Sequence, residues 1–297
     1  MTITQIKSFL EVGKHLNYTL AANRLYISQS ALSKQIINIE KELGVQLFRR
    51  NTRAVEFTPA GEILYDALLG IPEKYESGVE RALNAHRWNG SMLRLGVLDG
   101  HLIDGVLEQR ISQLLINYPE LEINIEGASF RLLREGLRNG NFDMVITLGF
   151  DVEDLPELEY AVLEGHPTGV AVCKSLWNMR KTVVSLSELA DEPFVVISGD
   201  ESPRGYGDFI YECAKFGFEP NIVRTATTLE SQLLCVEFGQ GVALIDRATR
   251  LENSQNICFV DLEKPNIVNV VLSWNKEQLS NSRYLRYAVE ALAQIDL

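Results

Sequence analysis

The sequence predicts an α/β protein in three parts: an N-terminal winged helix-turn-helix, a long linker helix and a bilobal α/β domain. Three observations predict this arrangement. Helical patterns and an arginine-rich hairpin fill the first 58 residues, an apolar stripe follows, and strand and helix patterns alternate from Met92 onward. The length of 297 residues also exceeds that of a typical single domain. We therefore expect domains at 1–58, 59–90 and 91–297, the last with lobe I at 91–163 and 266–297 and lobe II at 164–265.

A helix-turn-helix is predicted near the N-terminus. Thr4–Leu16 has the pattern of a first helix with Ile6, Phe9, Leu10 and Leu16 facing the core. Thr19 is a candidate N-cap of a second helix, and Ser28 is a candidate N-cap of a third. The third helix has one apolar face, made by Leu32, Ile36, Ile39 and Leu43. Its opposite face carries side chains that can reach base edges and phosphates in a major groove: Gln29, Ser30, Ser33 and Lys34.

Two short strands around a polar turn are predicted at residues 48–57. This hairpin contains Arg49, Arg50 and Arg53 within five positions. Such positive charge beside a recognition helix suits contact with the phosphate backbone. We interpret the hairpin as a DNA-binding wing held to the backbone by Arg50 and Arg53. The alternative is a solvated charged hairpin beside an ordinary three-helix core.

A long helix is predicted after the hairpin, because Thr58 is a candidate N-cap and Pro59 suits the first helical position. Apolar residues then recur at alternating steps of four and three, the seam of a coiled coil: Leu64, Leu68, Ile71, Tyr75, Gly78, Ala82 and Ala85. In an isolated helix this apolar seam would be exposed to water, so we expect it to pair with a second copy of the chain. The alternative is that it packs against its own chain. Pro72 predicts a kink because it removes a backbone donor. Asn89 and Gly90 are expected to form the hinge to the next domain.

Strands alternate with helices from Met92, which is typical of a parallel sheet with crossover connections. The predicted strands are 93–98, 121–126, 142–147, 170–173, 194–198, 221–225 and 266–274, with another ending the run 239–245. Predicted helices include 102–117, a helix capped by Ser129 that ends at Asn139, and a closing helix at 282–295. The lobes are expected to join at 164–168 and again at 263–266.

Ligands of open α/β sheets lie beyond the carboxyl ends of the strands, where helix N-termini point their amides. The candidate ligand residues are therefore the polar positions that follow strands: Asp99, Gly100, His101, Ser129, Thr147, Ser198 and Thr227. Each has an alternative interpretation. Hydroxyls that precede a helix routinely cap it, and loop histidines such as His101 and His166 are commonly solvated.

Charge is unevenly distributed along the chain. Residues 1–58 carry eight Lys or Arg against four Asp or Glu, whereas residues 91–297 carry seventeen against thirty-one. A basic first part with an acidic remainder favours DNA contact at one end and argues against a protein that coats nucleic acid indiscriminately. No apolar run is long enough to span a membrane, and the start lacks an export signal. We expect a cytoplasmic protein.

An enzyme or a solute-binding protein with an accessory DNA-binding module is the alternative function. An enzyme needs a nucleophile with a base, a metal cluster or a nucleotide fingerprint. The sequence shows none of these patterns, since its four histidines are scattered. The cysteines, Cys173, Cys213, Cys235 and Cys258, lack metal-ligand spacing and are expected to be reduced and mostly buried. We therefore expect no enzyme activity, metal or cofactor.

Four motifs resemble the winged-helix domain of LysR-type transcriptional regulators: AANRL at 21–25, SQSALSKQI at 28–36, IEKELGVQLFRR at 39–50 and FTPAG at 57–61. This resemblance implies a periplasmic-binding-protein-like effector domain, operator binding as a dimer or tetramer, and a response to a small co-inducer. Tetramers are favoured by the similarity. RNA polymerase is a further candidate partner. The effector, the target genes and the sign of regulation are not encoded in any of these motifs.

One position departs from the family pattern. Relatives often place Ser or Thr just after the first strand of the effector domain to hold a carboxylate, whereas this chain has Asp99. An aspartate there would repel an anionic ligand. Three interpretations stay open: Asp99 caps the following helix, it binds an amine or other donor-rich effector, or the pocket is small and vestigial.

Overall fold

The computed structural model describes residues 1–50, 55–88, 92–101, 105–177, 181–249 and 256–295. The chain divides into two compact units, Met1–Leu83 and Asn84–Leu297, each with its own apolar core. The first unit contains α1 (Ile3–His15), α2 (Tyr18–Arg24), α3 (Gln29–Leu43), β1 (Phe48–Arg50), β2 (Val55–Phe57), α4 (Pro59–Leu68) and the first part of α5 (Ile71–Trp88).

The core of the first unit lies between α1, α3 and the hairpin. Phe9, Leu32, Ile36 and Ile39 are fully buried, and burial of one such side chain contributes about 1.5–3 kcal/mol. The rings of Phe48 and Phe57 stack across the hairpin with centroids 5.2 Å apart. The burial of Leu32, Ile36 and Ile39 confirms the predicted apolar face of α3 as far as Ile39.

Three predicted details of these helices are wrong. Asn17, and not Thr19, caps α2, because its Oδ1 accepts from the backbone N–H groups of Thr19 and Leu20, both at 3.0 Å. Leu43 is 44% exposed because it ends α3, one turn beyond the core residue Ile39. Leu16 is 41% exposed because it follows α1 in the left-handed region, with φ 46°, and so leaves the helical face.

The predicted linker helix is two helices. Thr58 Oγ1 accepts from Gly61 N at 3.0 Å, which confirms the predicted N-cap of α4. The break lies at Gly70, whose φ of 77° is in the left-handed region that glycine tolerates best. The predicted kink at Pro72 is therefore misplaced by two residues, because Pro72 sits in the first turn of α5, where no helical N–H bond is lost.

Residues of the predicted seam lie in two different environments. Leu64 and Leu68 pack against the core of the first unit, as the alternative interpretation expected. Ile71 and Tyr75, in contrast, are 38% and 55% exposed. The apolar surface that is left uncovered therefore begins at α5.

The second unit contains two groups of elements, which we name lobe I and lobe II. Lobe I contains β3 (Met92–Leu98), α6 (Gly105–Asn117), β4 (Glu122–Ala128), α7 (Phe130–Asn139), β5 (Met144–Leu148), the 3-10 turn Gly149–Asp151, β12 (Ile267–Asn275), α11 (Lys276–Asn281) and α12 (Arg283–Ala293). Strands β3, β4 and β5 are parallel, and β12 is antiparallel to β5. Their core includes Leu95, Leu133 and Met144, all fully buried.

Lobe II contains α8 (Lys174–Trp177), β7 (Val183–Val184), the 3-10 turn Leu186–Leu189, β8 (Pro193–Ile197), α9 (Pro203–Lys215), β9 (Asn221–Ala226), α10 (Leu229–Glu237), β10 (Ala243–Asp246) and β11 (Ile257–Leu262). Strands β8 and β9 are parallel and β11 is parallel to β7. Phe194, Val170 and Cys213 are fully buried in the lobe II core.

One long strand, β6 (Leu158–Cys173), belongs to both lobes. Its first part pairs antiparallel with β12, and from Thr168 onward it pairs with β10 and β11. The two crossings between the lobes are tied together, because Thr168 N donates to Asn266 O at 2.8 Å and Asn266 N donates to Thr168 Oγ1 at 3.0 Å. The predicted residue boundaries of domains and lobes stay predictions.

The sheet differs from the prediction in three respects. It is mixed and not purely parallel, since β6 runs antiparallel to its neighbours. Strand β6 begins at Leu158, twelve residues before the predicted strand 170–173, and its first part lacks the continuous buried run that revealed 170–173. Strand β11 was not predicted. The predicted helix cap Ser129 is confirmed by the bond from Leu132 N, and Ser282 caps α12 by accepting from Leu285 N.

The cysteine prediction agrees with the part of the chain that the structure describes. Cys173 and Cys213 are buried, Cys235 and Cys258 are half-buried, and all four are free thiols. Burial raises the pKa of the Cys213 thiol to about 11, so this thiol stays protonated at neutral pH. Within the described ranges no helix is long and apolar enough to cross a membrane.

Candidate functional sites: a groove-binding helix and an inter-lobe cavity

The outward face of α3 is polar and accessible. Gln29, Ser30 and Lys34 are exposed and Ser33 is half-buried. Ser28 Oγ accepts from Ala31 N at 3.1 Å and so fixes the start of the helix, as predicted. The same helix buries its apolar face, so its orientation in the first unit is set by packing and its polar face is free to meet a ligand.

The hairpin is fixed to α3 by a contact that the sequence did not reveal. Glu40 Oε1 accepts from the backbone N–H groups of Leu47 and Phe48, at 2.8 and 3.2 Å. In the β1–β2 pairing the exposed Arg49 lies opposite Glu56. Arg50 ends β1, and Arg53 lies outside the described residues.

Tyr26 is a candidate that sequence reasoning missed. It lies in the turn between α2 and α3, has φ 55°, and is 95% exposed. Its hydroxyl is accessible and can donate to a phosphate. The signal available in the sequence was a large aromatic residue placed between two helices with complete apolar faces.

A cavity of about 460 Å³ lies between lobe I and lobe II. Its interior includes the buried apolar side chains of Phe130, Leu148, Val196 and Ile245. The rim includes Tyr160 and Tyr211, which are 43% and 64% exposed. The volume and mostly apolar lining suit a small organic ligand.

Buried polar residues complete the interior. Thr168, Ser202, Gln232, Asp246 and Thr249 line the cavity and are each less than a tenth exposed. Because they come from the crossing strand and from separate elements of lobe II, only the folded chain brings them together. No pattern in the sequence marked most of them as ligand candidates.

A polar network joins the lobes beside this cavity. Glu201 of lobe II is buried and accepts from Ser129 Oγ at 2.7 Å and from Arg131 Nε at 3.2 Å, both in lobe I. Arg134 donates to the backbone carbonyl of Glu201 at 2.9 Å and pairs with Asp151. These contacts hold α7 against the start of α9.

Asp151 is an unusual member of this network. Its side chain is 1% exposed, and its Oδ2 has no hydrogen-bond partner within the described ranges. Burial raises the pKa of its carboxyl to about 7, against the opposing attraction of Arg134. Asp151 therefore titrates near neutral pH.

A second link between the lobes lies on the other side of the cavity. His101 Nε2 and Asp246 Oδ1 are 3.1 Å apart and both side chains are buried. Burial alone would raise the pKa of Asp246, but the hydrogen bond and charge of His101 and the bond from Ala248 N hold it below its ordinary value. Asp246 therefore stays ionised.

None of the seven predicted ligand residues lines this cavity. Three of them, however, bond to a residue that lines the cavity or flanks it. His101 pairs with the lining residue Asp246, and Ser129 binds Glu201. Ser198 Oγ accepts from Glu201 N at 3.3 Å. Thr147 is 1% exposed, and its Oγ1 has no partner within the described part of the chain. Thr227 is exposed, and the neighbouring Thr228 caps α10.

Asp99 and Gly100 lie at the end of β3. Asp99 is half-buried, and burial, Glu230 and Glu126 each raise the pKa of its carboxyl. Its Oδ1 lies 2.2 Å from where a Cβ would stand at residue 127, which accounts for Gly127. Gly100 has φ 80°. The helix-capping interpretation of Asp99 involves residues 102–104, which lie outside the described residues.

Two protein-family models match the chain. Residues 3–62 match the bacterial regulatory helix-turn-helix protein of the lysR family, and residues 89–294 match the LysR substrate binding domain. Together the two matches include the α3 face, the hairpin and every residue of the cavity.

The chain is similar to two curated relatives along most of its length. The transcriptional regulator AlsR of Bacillus subtilis is 28% identical over 255 residues, which are 84% of this chain and 82% of AlsR. The transcriptional regulator BenM of Acinetobacter baylyi is 26% identical over 303 residues, which are 99% of this chain and 96% of BenM.

A crystal structure has the same fold. CbnR, a LysR family transcriptional regulator, has a TM-score of 0.66 at 21% identity, with 99% of both chains covered. CbnR complexed with its target DNA has a TM-score of 0.63 at 20% identity.

Proposed function

The chain belongs to the LysR family of bacterial transcriptional regulators, and we propose that it binds inverted-repeat operators as a homo-oligomer through α3 and the hairpin. It is a DNA-binding regulator with an effector-binding domain. The observation that carries the proposal is α3, whose apolar face is buried while Gln29, Ser30 and Lys34 stay exposed.

The proposed roles divide between base reading and backbone contact. Gln29, Ser30, Ser33 and Lys34 read base edges or reach the groove wall. Arg50 and Arg53 contact phosphates. The uncovered apolar surface of α5, which begins at Ile71 and Tyr75, is where a second copy packs. Two copies then present their recognition helices to major grooves one helical turn, or a multiple of it, apart.

We further propose that the inter-lobe cavity holds the effector. A ligand there touches both lobes and the Thr168 crossing at once, so it changes the free energy of any motion between the lobes. Of the seven predicted residues, His101 then acts through the lining residue Asp246, and Ser129 and Ser198 act through Glu201 beside the cavity. The chain works in the cytoplasm and, as its relatives are regulators, it has no enzyme activity.

Operator competition tests the DNA-binding part of this proposal. The full chain is titrated into a labelled palindromic fragment of its own promoter at physiological salt, against unlabelled specific and scrambled competitors. We expect the specific fragment to compete at least a hundredfold better, since specific sites exceed random DNA by about 10³ or more in affinity. Equal competition by both fragments would refute sequence-specific binding.

A blocked cavity tests the effector part. Leu244 lines the cavity and is half-buried, so Leu244→Trp fills the space from the lobe II side. We expect this variant to bind the operator like the unmodified chain and to lose its response to any small molecule that changes operator binding. An undiminished response in a folded variant places the effector elsewhere.

A further inference from the structure

We propose that the cavity selects a ligand with a protonated amine and an apolar body about the size of an aromatic ring. This inference rests on the proposed role of the cavity as the effector site and names the chemical class of the effector. It follows from the hydrogen-bonding state of Gln232 and from the charge of the lining.

Gln232 presents a free acceptor to the cavity. Its side chain is 4% exposed, and Nε2 donates to Val195 O at 2.8 Å. That bond fixes the orientation of the amide, so Oε1 is the atom left over. Oε1 has no hydrogen-bond partner among the residues that the structure describes. Unlike Asp151 Oδ2, this oxygen is not fully buried, so a ligand in the cavity can reach it and gains a hydrogen bond by donating to it.

Asp246 adds carboxylate acceptors to the same wall. Its Oδ1 accepts from Ala248 N at 2.8 Å and lies 3.1 Å from His101 Nε2, and Thr249 Oγ1 donates to its Oδ2 at 3.3 Å. Because the hydroxyl proton of Thr249 is donated in that bond, its oxygen can only accept hydrogen bonds from other partners. The deep wall is therefore rich in acceptors.

The rim is acidic as well. Glu153, Asp208 and Glu212 line the cavity. Arg204 is shared by Glu153, Asp154 and Asp208, and Lys215 pairs with Glu212. These four carboxylates are therefore paired with only two cations. The entrance keeps excess negative charge, which attracts a cation.

Among the described residues, the cavity lining offers no cation that could pair with a carboxylate ligand. Among the residues that the structure describes, those that line the cavity include no Lys, Arg or His. The nearby Arg131 and Arg134 are held by Glu201 and Asp151. A bound carboxylate would thus be desolvated beside Asp246, whose charge is already paired with His101, and would find no cation in the described lining, which is unfavourable.

Aromatic side chains suit the rest of the ligand. Phe130 and Phe150 lie 5.9 Å apart between ring centroids and line one side, with Tyr206 and Phe209 also in the wall. Such faces pack against an apolar body and attract an ammonium group through cation–π interaction.

The test compares three probes that differ mainly in their polar end: phenethylamine, 2-phenylethanol and 3-phenylpropanoate. Binding to the full chain is measured by calorimetry and by the shift in melting temperature. We expect phenethylamine to bind at least about tenfold more tightly than the alcohol, as one charge-assisted hydrogen bond implies, and the carboxylate to bind most weakly. Gln232→Met should remove most of the preference for the amine over the alcohol, while Gln113→Met, an exposed change on α6, should keep it.

Each outcome separates the two proposals. Carboxylate binding equal to or tighter than amine binding, or no stabilisation by phenethylamine, overturns the amine class. If the carboxylate stabilises the unmodified chain but not Leu244→Trp, the cavity is still the effector site and only the ligand class fails. If phenethylamine stabilises Leu244→Trp as much as the unmodified chain, the cavity itself is excluded.

Discussion

His101 and Asp246 form a buried pair across the two lobes, with His101 Nε2 3.1 Å from Asp246 Oδ1. Asp246 also lines the inter-lobe cavity. A ligand at that wall therefore meets a residue whose charge already joins lobe I to lobe II. If the effector binds at that wall, as proposed, its binding is coupled to the relative positions of the lobes through this contact.

Protonation of Asp246 in this pair should lower the free energy of unfolding in acid. The folded pKa of Asp246 is lowered, so its contribution is present above the ordinary pKa of a carboxyl and is lost as pH falls through the lower folded value. We expect Asp246→Asn to weaken this part of the acid dependence in urea unfolding between pH 5 and 2. Asp143→Asn, on lobe I outside the cavity, is the control. An unchanged profile in Asp246→Asn contradicts the assignment.

Asp151 predicts the opposite dependence near neutral pH. Its folded pKa is raised to about 7, so the folded state holds a proton that the unfolded state releases, and stability falls as pH rises from about 4 to 7. We expect Asp151→Asn to remove most of this slope in urea unfolding at pH 5 and pH 8. A slope equal to that of the unmodified chain would show that Asp151 is ionised throughout.

Arg53, which lies outside the described residues and is expected to contact phosphates, should have a sequence-independent effect on DNA binding. Arg53→Ala should weaken binding to operator and to random DNA alike and should lower the slope of log K against log salt by about 1, because one phosphate contact is lost. Fluorescence anisotropy from 50 to 200 mM salt measures both. A loss confined to operator DNA would indicate base reading by Arg53.

Substitution of Ser33 on α3 should have the complementary effect, a loss of binding to the operator alone. Ser33→Ala should weaken operator binding by about 1 kcal/mol, or about fivefold in Kd, and leave random-DNA binding unchanged, since a lost base contact affects only the matched sequence. The same titrations give the ratio of the two affinities. Equal losses on both DNAs would contradict the division between helix and hairpin.

The N-cap of α2 offers a test within the first unit. Asn17→Ala removes the acceptor of two backbone N–H groups and should lower the free energy of unfolding by about 1 kcal/mol. Thr19→Ala is the matched control and should change it by much less, because Thr19 lies inside the first turn. The reverse order of effects, measured by urea unfolding, would restore Thr19 as the cap.

The first unit could be predicted well from sequence because its signals are local. Ser28, Thr58 and the buried Leu32, Ile36 and Ile39 each follow from the spacing within one helix. Asn17 was missed because two capping residue types stand two positions apart. The break at Gly70 was missed because a proline is the stronger signal, although it is harmless in a first helical turn.

The cavity could not be predicted in the same way. Gln232 and Asp246 belong to a helix and a strand that meet Thr168 only after the long strand β6 has crossed between the lobes. The rule that ligands lie beyond strand ends led to Asp99 and Thr227, which do not line the cavity. Periodicity identifies elements, whereas the cavity depends on contacts between residues far apart in the sequence.

The bond pair between Thr168 and Asn266 has a further consequence. The chain leaves lobe I and returns to it at two points held side by side, so lobe II is a single inserted loop with adjoining ends. A short turn could bridge those ends while lobe I keeps β12 against the first part of β6. Lobe II is thus a module that could be exchanged between relatives to transplant half of a ligand specificity.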